Sequence, residues 1–258
     1  MYFKIIDFSK FTSIKIGQEE EVLIIEKGDE IPNDRHLIGH GNNLLISRNP
    51  PPLMMLGKDF DYITLDDNIL TIGAATPTGK ILSFTKKHNI AGFEFVSKLP
   101  GSMGGMLAMN AGVKEYEIFN ILDSVNINGA WYDKNDIEHG YRFAKLGGVA
   151  TEARFIIQKG FNTELLNSLV SLRSNQPSQP SAGSLFKNPS NDHAGRLIEA
   201  VGLKGKQIGG MGWSEVHANF LVNFGDGTFD EAMELIKLAK QRVKQEFGIE
   251  LKLEVEIV

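Results

Sequence analysis

Five stretches of the chain hold residue types that could bind or transform a ligand. In Gly39-His40-Gly41-Asn42-Asn43-Leu44-Leu45, two glycines flank one residue and two amides lead into leucines. Backbone N–H groups turned outward by such a loop form a concave nest that suits an anion such as a diphosphate. The second stretch runs from Leu99-Pro100-Gly101-Ser102-Met103-Gly104-Gly105 to Asn110-Ala111-Gly112. Here Pro100-Gly101 turns the chain, Ser102 stands where it can cap a helix, and Gly104 and Gly105 let backbone touch a ligand. Taken singly, each is equally an ordinary glycine-rich turn or a small-residue helix packed closely on a neighbour. Two such loops, roughly 60 residues apart and each following a strand, favour one long ligand with phosphates in its middle.

The other three stretches offer side-chain chemistry. Tyr141-Arg142 places a permanent cation after a strand and before a turn, where a lone Arg is also a common surface charge. Pro180–Pro189 carries a hydroxyl (Ser184), a cation (Lys187) and an amide (Asn188) between prolines, and rigidly bounded loops often carry chemistry. Glu254 lies near the C-terminus among Glu250 and Glu256, so a solvated polar face competes with a functional carboxyl there.

The elements that must position these residues are legible in part. Glu21–Ile25, Arg35–Ile38, Tyr62–Leu65 and Ile69–Ile72 read as strands between turn signals. Thr76-Pro77 opens a helix, with the proline at its first position and Ile81, Phe84 and Thr85 at helical spacing up to Gly92. Strand character returns over 119–157, through Ile121, Val125 and Ile127 and then Ala153–Ile157. Leu165, Leu166, Leu169 and Leu172 form a helical stripe ending before Gln176-Pro177. Asp192 is placed to cap a short helix carrying Leu197 and Ile198 and stopped by Gly202. Thr228 and Glu231 form a capping box for a helix with Ala232, Ile236, Ala239 and Val243 on one face and Gly248 at its end. The last residues alternate: Leu251, Leu253, Val255 and Ile257 face one way, their charged neighbours the other. A domain boundary is expected near 158–162.

Composition narrows the function. The chain has 258 residues, enough for one large or two modest domains, and its 42% hydrophobic content supports a packed core. With Lys+Arg 27 and Asp+Glu 32, the net charge is −5, and no basic block offers itself to nucleic acid. Cysteine is absent, which excludes disulfides, thiolate catalysis and cysteine-held zinc or iron–sulfur clusters. No apolar stretch is long enough to span a membrane and the first residues do not read as a secretory signal, so a cytoplasmic protein without nucleic-acid or membrane partners is expected. The loop at Gly39 begins like a dinucleotide fingerprint but lacks the third glycine, and Pro50-Pro51-Pro52 forbids the helix that must follow. Gly202-Leu203-Lys204-Gly205-Lys206-Gln207 has the wrong spacing for a P-loop. Of the six histidines only His36 and His40 stand four apart, and they fall on a strand and the glycine loop after it rather than on one helix face, so no metal site is expected.

Read together, GHGNNLL (39–45), LPGSMGGMLAMNAG (99–112), Tyr141-Arg142, SAGSLFKNP (181–189), AGRLIEAVGLKG (194–205), HANFLVN (217–223) and the ending GIELKLEVEIV resemble the UDP-N-acetylenolpyruvoylglucosamine reductases. The resemblance runs from about Thr12 to Val258, and the short length is similar to the compact subtype without a substrate-covering insertion. It implies an α+β protein: an FAD-binding domain of the vanillyl-alcohol-oxidase (PCMH-like) type over 1–160, in two subdomains of about 1–66 and 67–160, then a smaller α+β substrate domain over 161–258. The terminal strand of that second domain would return to the active site.

The resemblance implies NADPH-dependent, FAD-mediated reduction of UDP-N-acetylglucosamine enolpyruvate to UDP-N-acetylmuramate, with FAD held non-covalently. That reaction serves peptidoglycan synthesis, and through it cell-wall biogenesis, cell shape and division. By motif, Gly39, His40, Gly41, Asn42, Asn43, Leu44, Pro100, Gly101, Ser102, Gly104, Gly105, Asn110 and Gly112 would hold FAD. Arg142, Ser184 and Glu254 would be catalytic, while Tyr141, Lys187 and Asn188 would meet the nucleotide-sugar. Arg142 would face the substrate carboxylate, Glu254 would be protonated to donate a hydrogen bond, and Ser184 would protonate the carbon next to the one receiving hydride. The chain departs from the family pattern at Asn42, where serine is usual, at Phe143-Ala144 in place of a polar step, and at Arg48-Asn49 in place of an acidic residue. Support for Arg142 must therefore come from elsewhere. Another FAD-dependent oxidoreductase of the same fold, or a non-catalytic flavin or nucleotide-sugar binder, are the alternative readings.

Overall fold

The computed structural model describes residues 1–172 and 176–258, and its architecture is α+β. The chain divides into two compact units, each assembled from separated stretches.

The first unit comprises Met1–Lys4, Val22–His40 and Pro52–Ser174. Val22–Ile25 pairs in parallel with Leu53–Leu56, whose Leu53-Met54 step also pairs in parallel with His36–Leu37. All four residues of Val22–Ile25 are buried, as expected of a strand covered on both faces. A second, antiparallel sheet has the order Ala130–Asp133, Ser124–Ile127, Ala150–Ile156, Ile69–Gly73, Ile63–Asp66. The period-2 geometry of its strands sends Leu70, Ile72, Val125, Ala153 and Phe155 into one core. The helix Thr78–Lys87 adds Ile81 to that core, and the helix Met103–Ala108 adds Met103, Met106 and Leu107 at helical spacing. Full burial of such side chains contributes roughly 1.5–3 kcal/mol each. The helix Thr163–Ser171 is capped by Asn162, whose side chain accepts the Leu165 N–H at 2.9 Å, and buries Leu169.

The second unit comprises Ile5–Glu21, Gly41–Pro51 and Asn175–Val258. Its antiparallel sheet has the order Ser181–Ser184, Phe220–Asn223, Met211–Trp213, Gln207–Ile208. The helix Phe229–Phe247 lies against Met211–Trp213, with Ala232, Leu235, Ile236, Ala239 and Val243 buried. Its capping box is formed by Thr228 and Glu231, and Gly248 ends it in the left-handed conformation at φ 69°. Ile14, Ile16 and Leu45 belong to the same core, so the early stretches complete the packing of the C-terminal one.

Several sequence expectations are corrected. Pro77 is the N-cap of its helix rather than its first helical residue. Ile121 ends a helical turn, Ile118–Ile121, instead of lying in a strand, because the Ile118 and Phe119 N–H groups bond locally to Ala111 O and Asn110 Oδ1. Asp192 does not cap the helix Ala194–Ala200: its carboxylate takes Arg196 and the His193 N–H, and Asn188 Oδ1 accepts the Ala194 N–H at 3.0 Å. The C-terminal alternation holds for burial except at Glu254, which is as half-buried as Leu253, and only Glu256–Ile257 forms a ladder, parallel to Leu44–Leu45. No helix among the described residues is long and apolar enough to cross a membrane.

Candidate active site

Gly39 and His40, the start of the first glycine loop, meet the second loop in the first unit. The second loop docks along Ala74–Thr78: Thr78 N–H donates to Gly101 O at 3.0 Å, Met103 N–H to Thr76 O at 3.0 Å, and Gly104 N–H to Ala74 O at 2.8 Å. A Cβ on Gly104 would stand 3.2 Å from that same carbonyl, so the glycine lets the two segments dock closely without a shift. The faces of Gly39 and Gly105 are open by contrast. A Cβ there would meet only Ser102 Oγ, at 3.8 and 4.0 Å. Ser102 is buried at the N-cap of Met103–Ala108 and makes no capping bond. His40 hydrogen-bonds the Gly101 backbone, and burial is the main reason its imidazole titrates below the ordinary 6.5.

This patch of bare glycine backbone around one hydroxyl, beside a neutral imidazole, suits the phosphates of a dinucleotide such as FAD. The remaining second-loop candidates are placed differently. Pro100 is exposed at the turn. Asn110 is buried, and its amide is engaged inside the protein: Nδ2 donates to Glu117 Oε2 at 2.8 Å and Gly140 O at 3.1 Å, and Oδ1 accepts the Phe119 N–H at 3.2 Å. Gly112 uses its carbonyl to accept from Arg142 Nη2 at 2.9 Å.

Arg142 and Tyr141 form the two-residue loop joining the short strands His139–Gly140 and Phe143–Ala144. Arg142 has φ 59°, a left-handed conformation that usually goes to Gly or Asn in such a turn. Its guanidinium lies 5.1 Å from the Tyr141 ring centroid, and Nη1 is 3.8 Å from Glu117 Oε1. Gly112 and Glu117 thus supply the support that Phe143-Ala144 cannot give.

The second unit brings Ser184 and Glu254 together. Glu254 N–H donates to Leu185 O at 2.9 Å, and Lys187 N–H to Lys252 O at 2.9 Å, so the segment after Ser184 runs alongside the one before Glu256. Ser184 and Glu254 are both half-buried. Asn43 links the first glycine loop to the same place: Nδ2 donates to Glu254 O at 2.9 Å, and Asn43 O accepts the Glu256 N–H at 3.0 Å. Gly41 turns that loop at φ 68°, where a Cβ would lie 3.0 Å from the Phe11 ring, and Ser13 ties down the Gly41 and Asn42 carbonyls. Leu44 continues into the parallel pairing with Glu256. Asn188 spends its carbonyl oxygen on the helix cap, and Lys187 follows the buried Phe186.

Two residues of consequence carried no sequence signal of their own. Asn219, buried in the HANFLVN stretch, clamps both backbone groups of Phe186: Oδ1 accepts its N–H at 3.1 Å and Nδ2 donates to its carbonyl at 2.8 Å. It thereby fixes the strand end that presents Ser184. Glu117 is one of two carboxylates, with Glu115, in a stretch that carries no motif.

Comparison with known proteins places the whole chain in one family. The C-terminal domain model of UDP-N-acetylenolpyruvoylglucosamine reductase matches residues 176–258. The reductase of Helicobacter hepaticus is 46% identical over 258 residues, 98% of each chain. The chain belongs to the UDP-N-acetylenolpyruvoylglucosamine reductase family. The Campylobacter jejuni reductase is 45% identical over 98% of this chain and 100% of its own. The crystal structure of the Thermus caldophilus UDP-N-acetylenolpyruvylglucosamine reductase superposes with a TM-score of 0.87 at 28% identity, covering 100% of this chain and 99% of that one. The α+β fold of this reductase family therefore extends over the whole chain, and the chain is an oxidoreductase.

Proposed function

We propose that the chain reduces UDP-N-acetylglucosamine enolpyruvate to UDP-N-acetylmuramate with NADPH and FAD, a step that supplies peptidoglycan precursors in the cytoplasm. The observation that supports it most is the backbone hydrogen bond from Glu254 N–H to the carbonyl of Leu185, the neighbour of Ser184, which joins two stretches remote in sequence that each hold a residue of the family pattern. Residues 1–160 carry the motifs for FAD together with Tyr141 and Arg142, and 161–258 carry Ser184, Lys187, Asn188 and Glu254. Gly39, His40, Gly41, Asn42, Asn43, Leu44 and the loop from Pro100 to Gly105 would hold FAD, with Asn110 and Gly112 behind them. When bound, FAD supplies the hydride chemistry that links NADPH to the enolpyruvyl double bond.

The chain's own residues have three tasks. Arg142 binds the substrate carboxylate, where its planar, always-charged fork matches the two oxygens. As the double bond is reduced at its methylene end, negative charge develops on that carboxylate, and Arg142 stabilises it where it forms. Glu254, in its protonated form, adds a hydrogen bond to the same charge. Ser184 delivers its hydroxyl proton to the adjacent carbon, and Lys187 or a water lowers the cost of the alkoxide left behind. Tyr141 and Asn188 line the approach of the nucleotide-sugar.

Ser184→Ala tests this division of labour. Stopped-flow measurement should show flavin reduction by NADPH within about twofold of the unaltered enzyme. Flavin reoxidation by the enolpyruvyl substrate should fall by roughly 10²-fold or more. If both half-reactions keep their rates, the proton comes from another group.

A further inference from the structure

Arg142 is held at two points by one small network. Asn110 Nδ2 donates to Gly140 O at 3.1 Å, which pins the base of the hairpin that carries Arg142. The same Nδ2 donates to Glu117 Oε2 at 2.8 Å, which fixes the Glu117 carboxylate. The other carboxylate oxygen lies 3.8 Å from Arg142 Nη1, while Nη2 donates to Gly112 O at 2.9 Å. Both side chains are mostly covered, at 20% and 21% exposure, so solvent screens their attraction less than it would on an open surface. The 3.8 Å separation is too long for a hydrogen bond. Glu117 therefore orients the guanidinium without forming the bidentate pair that would compete with a ligand carboxylate.

We propose that Glu117 is a positioning residue: held by Asn110, it sets the guanidinium of Arg142 in the orientation that receives the substrate carboxylate. This inference rests on the role assigned above to Arg142. A long side chain has several rotamers open to it, and these contacts select one of them.

The test is a double-mutant cycle in the full, FAD-loaded chain with Glu117→Gln, Arg142→Ala and the two combined. Glu117→Gln keeps an acceptor for Asn110 and removes only the charge. Each variant is read by flavin reduction with NADPH, by reoxidation with the enolpyruvyl substrate, by the dissociation constant of UDP-N-acetylmuramate, and by thermal unfolding. Glu117→Gln should slow reoxidation about tenfold, change the substrate KM by less than about threefold, and leave NADPH reduction and unfolding near their starting values. On the Arg142→Ala background it should add less than about twofold, because the group it positions is gone. Glu117→Asp, which keeps the charge, should fall between Glu117→Gln and the unaltered enzyme. Equal losses on both backgrounds, or no loss from Glu117→Gln while Arg142→Ala is inactive, would overturn the proposal and leave the role of Arg142 standing. Full reoxidation by Arg142→Ala would overturn both.

Discussion

Arg142 occupies a backbone position that glycine would fill at lower cost. A left-handed conformation costs an ordinary residue roughly 1–2 kcal/mol, and the bond from Arg142 Nη2 to Gly112 O returns about 1 kcal/mol. Glycine would remove that backbone cost together with the contacts to Gly112, Glu117 and Tyr141, so gain and loss offset each other. Arg142→Gly is expected to stay within about 1 kcal/mol of the parent in urea unfolding while losing turnover with the enolpyruvyl substrate. A drop beyond about 2 kcal/mol would make Arg142 a structural residue instead. The sequence marks Arg142 and Ser184 because motif order survives without coordinates. It does not mark Glu117, whose meaning lies in Asn110, Gly112 and Arg142 being brought to it by turns.

Among the elements, the segment following Ser184 shows how a polar clamp replaces a strand partner. The ladder from Ser181 to Ser184 is irregular, and Phe186, fully buried, would leave an N–H and a carbonyl unpaired without Asn219. Each such buried group costs about 1–3 kcal/mol. Asn219→Ala should therefore lower stability by about 2–4 kcal/mol in chemical denaturation, with Asn219→Asp, which sets a buried carboxylate against the Phe186 carbonyl, losing at least as much. A loss under about 1 kcal/mol would show that water or a backbone shift takes over the clamp. Elements with local signals are legible in the sequence: the capping box at Thr228 and Glu231, the glycine stop at Gly248, the alternation of Ile69–Ile72. Elements decided by distant partners are not. The apolar spacing around Ile121 fits a strand, yet Asn110 captures the Phe119 N–H and the turn coils. Asp192 has the right type and place for a cap, but Arg196 takes it first and Asn188 reaches across the loop.

At the scale of the molecule, the chain is interleaved. Ile5–Glu21 and Gly41–Pro51 pack with Asn175–Val258, although the stretches between them belong to the first unit. Ile14, Ile16 and Leu45 fill the core beside Trp213 and Leu235, and Leu44–Leu45 gives the C-terminal Glu256–Ile257 its partner. No local pattern announces this, because a short apolar run is compatible with either core. Gly41 and Asn43 belong to the unit of Ser184 and Glu254, while Gly39 and His40 belong to the unit of Ser102 and Arg142. One heptapeptide thus contributes to the glycine patch around Ser102 and to the backbone around Glu254.

The account stands on the claim that electrons from NADPH pass through bound FAD to the enolpyruvyl nucleotide-sugar. The most direct measurement is an anaerobic single turnover: the purified chain is reduced with one equivalent of NADPH, UDP-N-acetylglucosamine enolpyruvate is added, and the flavin absorbance is followed. The expected result is rapid return of the oxidised flavin spectrum with one UDP-N-acetylmuramate formed per flavin. A protein that binds no flavin, or whose reduced flavin is unchanged by this substrate and reoxidised only when oxygen is admitted, would contradict it.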